Sequence, residues 1–131
     1  MTFATTYVRI LGAFSVFFGL VYLFAPALMT LQAGFGELPA AGLTDVRATY
    51  GGFQIGVGVF LFWAAQDASR VRGALLLMAL SIGAIGLSRA IGLTVDGGLN
   101  LFHTAGLITE VSLTALTLFV LSRAQAPSAT A

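Results

Sequence analysis

Cysteine is absent from the 131 residues, and so is lysine. The first absence excludes a disulfide framework, a thiolate metal site, an iron–sulfur cluster and a catalytic thiol. The second excludes the phosphate loop that Gly51-Gly52 superficially suggests, because the GxxxxGK[ST] pattern requires a lysine. Charge is scarce altogether: six arginines and five acids make up 8% of the chain, against roughly a quarter in soluble domains. A formal net charge of +1 is far below the basic density that reads phosphate backbones, so nucleic acid is not expected as a partner.

What is present is apolar. Hydrophobic residues make up 58% of the sequence, and a soluble chain of this length would lack the polar side chains to cover its surface. Four stretches, at about Tyr7–Leu31, Val46–Ala65, Val71–Leu93 and Leu99–Leu121, each approach the ~20 residues that cross a ~30 Å hydrocarbon core. Arg9 ahead of the first run gives it the look of a signal peptide. The run is longer than the usual signal core of about 7–15 residues and has no clear cleavage site, so a retained helix is expected. Pro26, in Phe24-Ala25-Pro26-Ala27, is expected to kink or end it. The links are short and carry turn residues, including Gly34, Gly36, Pro39 and Gly42, and then Asp96-Gly97-Gly98. Short links make successive helices antiparallel neighbours. The sequence therefore predicts an all-α, integral membrane four-helix up-down bundle, one domain over residues 1–123, with a disordered tail over 124–131.

Arg9, Arg70, Arg72 and Arg123 fall on one side of this arrangement, and Glu37, Asp45 and Asp96 on the other. Arginine marks the cytoplasmic side, so both termini are expected there.

The residues that interrupt the apolar pattern carry any chemistry. Arg47, Tyr50 and Gln54 share a face of the second stretch, Arg89 lies late in the third, and Asn100, His103 and Glu110 lie on the fourth. Glu110 falls roughly 17 Å beyond Leu99, near the bilayer centre, whereas His103, Arg89 and Arg47 fall nearer the outer boundary. An ionised side chain at mid-membrane costs at least ~2.5–3.5 kcal/mol, so these groups are expected to turn inward and pair, with Glu110 opposite Arg47 or Arg89. Arg47, Tyr50, Gln54, Arg89, His103 and Glu110 form the candidate ligand-binding cluster. A structural reading stands beside it, in which a buried ion pair fixes helix register. One histidine without a second carboxylate nearby supports neither a metal nor a haem site, so no metal and no cofactor is expected. No catalytic residue is assigned.

Gly52 and Gly56 make a GxxxG match, and Ala79 with Gly83 a second small-residue pair, both expected to pack helices closely within the chain. Tyr7, Tyr22, Tyr50 and Trp63 lie near the ends of the apolar stretches, as in interfacial belts.

Taken in order, Leu23-Phe24-Ala25-Pro26, then Asp45-Val46-Arg47-Ala48-Thr49-Tyr50-Gly51-Gly52, then Arg89 and Glu110, the chain resembles the small bacterial membrane proteins of domain of unknown function 4345. Arg47-Ala48-Thr49-Tyr50-Gly51-Gly52 is the most specific part, and the resemblance runs over nearly the whole chain. It implies a four-helix bacterial membrane protein and supplies no activity, ligand or established site residue; a multi-pass place in the bacterial inner membrane is expected. Three classes of function follow from the residues. The first is a binding or accessory protein that holds a lipid-soluble ligand or docks to a larger membrane complex. The second is a small transporter or channel using Glu110 and the arginines. The third is an enzyme with His103 and Glu110 as an acid/base pair, which their roughly 10 Å axial separation disfavours. Oligomeric state is left open.

Overall fold

A computed structural model describes residues 2–124. The tail predicted over 124–131 thus lies outside the described residues except for Ala124. The described chain is all-helical, and it divides into two compact units, one running to Gln66 and the other starting at Asp67.

The first unit opens with α1, Phe3–Phe24, whose start is capped by the Thr2 side chain accepting from the Thr5 N–H. The single helix expected over 7–31 is instead two. Ala25 leaves the helical region, with φ −128° and ψ 49°, and Pro26 opens α2, Pro26–Gln32, as its first residue. Proline has no N–H to continue α1 but suits the first turn of a new helix. The α2 C-terminus closes in a Schellman motif. Gly34 takes φ 89°, its N–H donates to Leu31 O, and the Phe35 N–H donates to Thr30 O.

The second expected helix, 46–65, begins earlier than its apolar run. The path is helical from Ala40 without interruption: α3 is Ala40–Val46, a π-helical turn covers Arg47–Gly52, and α4 is Phe53–Ala64. Ala40 to Val46 is too polar and glycine-marked to read as a membrane run, yet Pro39 at its cap position supplies an extended entry.

Glycine lets α1 approach this path. A Cβ on Gly12 would meet Gly58 O at 3.2 Å, and one on Gly19 would meet Gly51 O at 2.8 Å. Two heptad-spaced pairs, Gly12/Gly19 and Gly51/Gly58, thus oppose one another across antiparallel helices. The GxxxG pair is not the contact: a Cβ on Gly56 meets nothing within 4 Å, and one on Gly52 meets only Arg47 O, at 3.9 Å. Spacing alone could not distinguish Gly52 from its neighbour Gly51.

The second unit is a helical hairpin of α5, Ala68–Val95, and α6, Leu101–Arg123. Asp67 caps α5, and Asn100 caps α6 by accepting the His103 N–H at 2.8 Å. Gly97 and Gly98 turn the chain between them with φ of 76° and 78°, a left-handed conformation that costs glycine little. At the open end, Arg72 Nη1 donates to Leu121 O and Ala124 O, at 3.3 and 3.1 Å. Orphan carbonyls at a helix end are thereby satisfied. Helices α1, α5 and α6 are each long and apolar enough to cross a membrane, as expected of a membrane protein. Large apolar side chains such as Leu80, Leu87, Ile108 and Val111 are exposed along α5 and α6, the surface a bilayer would cover.

Candidate functional site

The hairpin brings three of the sequence-predicted residues together. Arg89 Nε donates to both oxygens of Glu110, at 3.0 and 2.9 Å, and Arg89 Nη2 donates to Oε1 at 2.6 Å. Nη1 of the same guanidinium lies 2.8 Å from His103 Nδ1. A guanidinium can only donate, so Nδ1 accepts in this contact and the ring proton of His103 sits on Nε2. Arg89 bridges two residues of α6 that stand seven apart. His103 and Glu110 meet through the arginine rather than as an acid/base pair.

The side chains of Arg89 and Glu110 are 21% and 13% exposed, so the pair is largely withdrawn from its surroundings. Two glycines make room for it. A Cβ on Gly106 would lie 3.1 Å from Arg89 Cζ, and one on Gly86 would lie 3.2 Å from Glu110 Cβ. Neither glycine stands out in the sequence, because close approach to a charged side chain leaves no spacing signature.

Beside the pair runs a groove of about 300 Å³, lined by Gly83, Gly86, Glu110, Val111, Thr114 and Leu118 among others. Thr114 is one turn from Glu110. Elsewhere on α6 the threonine hydroxyls turn back to the helix: Thr104 to Asn100 O, Thr109 to Ala105 O and Thr117 to Leu113 O. Thr114 does not. Among the described residues its Oγ1 is buried without a hydrogen-bond partner, a condition that costs about 1–3 kcal/mol when nothing fills it. Threonines are common in membrane helices as back-bonding residues, so nothing in the sequence marks this one.

Arg47, Tyr50 and Gln54 belong to the first unit. Arg47 is exposed, and its Nε donates to Leu23 O, a carbonyl at the α1 terminus, at 3.2 Å. Tyr50 stacks on Tyr22 with ring centroids 5.3 Å apart. Gln54 is half-buried one turn further on. Tyr22 and Tyr50 are thus stacked partners. Tyr7 is only 6% exposed, so it is a packing residue and not part of an outward aromatic belt.

The link ahead of α5 holds the clearest electrostatic perturbation. Hydrogen bonds from the Ser69 hydroxyl, at 2.7 Å, and then the Ser69 backbone N–H, at 2.9 Å, hold the Asp67 carboxyl below the usual aspartate range. Arg70, 3.5 Å away, adds to the effect.

Compared with known proteins, residues 3–121 match the model of one family, described as a domain of unknown function (DUF4345). No curated protein and no solved structure matches the chain.

Proposed function

The chain belongs to the DUF4345 family, and from that premise we propose that it is a multi-pass membrane protein that holds a lipid-soluble ligand, with a carbonyl or hydroxyl head, in the α5–α6 groove. The observation that carries this is the buried Thr114 hydroxyl without a partner, lining an otherwise apolar groove next to Glu110. A rotation of the Thr114 side chain would bring Oγ1 to the groove, where a ligand carbonyl would accept from it, and a ligand hydroxyl would donate to the Glu110 carboxylate. Leu87, Val111 and Leu118 would contact the tail. A groove of about 300 Å³ is at the small end of ligand sites, enough for a head group and the first part of a chain. Arg89 orients Glu110 through two parallel donors, the geometry that fixes a carboxylate most firmly.

In this reading the path Ala40–Ala64 is a fourth span beside α1, α5 and α6. The protein sits in the bacterial inner membrane with Arg9, Arg70, Arg72 and Arg123 on the cytoplasmic side. A transporter using Glu110 would have to open the Arg89 pair, and an acid/base enzyme would have to release His103 from the same arginine, so binding is the simplest use of the site. The test is mass spectrometry of lipids and apolar metabolites retained by protein purified in mild detergent. One carbonyl- or hydroxyl-bearing species should be retained by the wild type and lost from Thr114→Val and Gly83→Leu. Retention of bulk phospholipid alone, equal in all three, would refute the reading.

A further inference from the structure

Arg47 and Arg89 contrast in one respect: Arg89 has a carboxylate against it, and Arg47 does not. Within its own unit, and among the described residues, neither Glu37 nor Asp45 forms an ion pair with Arg47. Among the described residues its guanidinium donates to the Leu23 carbonyl, a dipole that orients it without neutralising it. Glu110 already gives both oxygens to Arg89. A full charge at the border of an apolar helix calls for an anion.

Position says which kind. From Arg47 to Ala64 the helical path rises by about 26 Å at ~1.5 Å per residue, close to the ~30 Å of a hydrocarbon core. Arg47 therefore stands at one edge of the core and Trp63 at the other. The stacked Tyr22–Tyr50 pair lies at the Arg47 edge, with Tyr50 48% exposed, where tyrosine meets lipid head groups. The region is also held firmly. Gly51 lies so close to α1 that a Cβ there would be 3.1 Å from Leu23 N, and a π-helical turn at Arg47–Gly52 is a local form that recurs at functional sites.

We propose that Arg47 and Tyr50 form a binding site for the phosphate of a membrane phospholipid whose net charge is negative. The two Nη groups of Arg47 donate to phosphate oxygens in the forked geometry that arginine suits and lysine does not, and the Tyr50 hydroxyl donates to a third acceptor on the same head group. The inference is independent of the α5–α6 groove and rests only on the reading of the Arg47–Ala64 part of this path as the segment that crosses the hydrocarbon core.

Nanodiscs with equal phosphatidylglycerol and phosphatidylcholine test it, with the lipids released from the protein counted by native mass spectrometry. The wild type should favour phosphatidylglycerol. Arg47→Gln should lower that preference about fivefold, the factor that one arginine supplies near an anionic surface. Tyr50→Phe, which keeps the ring stack, should lower it less, and Arg9→Gln, which removes a surface arginine outside the site, should lower it less than Arg47→Gln does. Arg47→Lys, which keeps the charge and loses the fork, should fall between, and it stands in if the glutamine variant does not fold. An unchanged preference in Arg47→Gln would overturn the site. Displacement of the bound lipid by inorganic phosphate would reassign it to free phosphate and overturn the lipid. Quenching of Trp63 by acyl-brominated lipids in the same nanodiscs tests the span by itself. Quenching is expected in every variant, and its absence would overturn the premise.

Discussion

Glu110 is held from one side by Arg89, whose Nε reaches both carboxylate oxygens within 3.0 Å while Nη2 reaches Oε1 at 2.6 Å. The two residues come from opposite arms of one hairpin, so the pair fixes α5 against α6 as well as balancing charge. Gly86 and Gly106 show that the helices are shaped around it.

Breaking the pair from either side should therefore be costly. Glu110→Ala leaves a guanidinium uncompensated, Arg89→Ala leaves a carboxylate, and loss of one partner of a buried pair typically destabilises by ~3–5 kcal/mol. The double variant should be less destabilised than the sum of the two, because each single change already removes the shared interaction. Denaturation of the three variants in detergent micelles measures this. Additive losses would mean that the pair contributes no coupling.

How far the sequence anticipated this arrangement depends on the kind of signal each residue leaves. Arg89, His103 and Glu110 were legible because an ionisable residue in an apolar run has an energetic cost that points inward. Their partners Gly86, Gly106 and Thr114 were not, since small and hydroxyl residues are ordinary in such helices and only contact geometry gives them a role. The apolar runs located all the long helices. The start at Ala40 was missed because it lies in polar sequence, and the break at Ala25 was anticipated only through Pro26. In the glycine-rich segment the GxxxG spacing points to Gly52 and Gly56, whereas the packed positions are Gly51 and Gly58, which the π-helical turn and α4 bring to face α1.

That last difference gives a stability prediction. A Cβ on Gly58 would stand 2.5 Å from Val16 Cγ2 and 2.8 Å from Gly12 O, whereas one on Gly56 meets nothing within 4 Å. Gly58→Ala should destabilise the protein by about 1–3 kcal/mol, the range for overpacking a close contact. Gly56→Ala should be neutral or slightly stabilising, since it removes a flexible residue from a helix interior. Thermal melts of the two alanine variants make the comparison, and equal losses would show that the glycine face has been misassigned.

At the start of α5, Asp67 accepts from both the hydroxyl and the N–H of Ser69, which lowers its pKa. A carboxyl depressed on folding stabilises the native state above the unfolded aspartate pKa of about 3.9 and loses that contribution as pH falls through the folded value. The cap should thus be intact at neutral pH and weaken only in acid. In Asp67→Asn, which keeps a capping oxygen, the pH dependence of stability should be flatter below the ordinary aspartate range. Melts between neutral and acidic pH check this, and a difference between the two proteins confined to neutral pH would exclude the assigned linkage.

Orientation in the bilayer can be read out independently of any ligand. In the hairpin, the first turns of α5 carry Arg70 and Arg72 and the opposite link carries Asp96, so the two ends of the same helix pair differ in the one charge that topology follows. Arg72 is moreover committed to the α6 terminus, where it donates to Leu121 O and Ala124 O, and this keeps positive charge at that end. The cytoplasm should therefore face residues 68 and 124, and the exterior should face residues 97 and 98. Because the chain has no cysteine, Ala68→Cys and Gly98→Cys can each be followed alone. An impermeant maleimide added to intact cells should label Gly98→Cys and reach Ala68→Cys only after the membrane is opened. Gly98 has φ 78°, so a cysteine there is strained, and Asp96→Cys, at the ordinary φ of −99°, provides a second position on the same link. Labelling of Ala68→Cys in intact cells, with both opposite-link cysteines protected, would invert the orientation and place the arginine-bearing end outside.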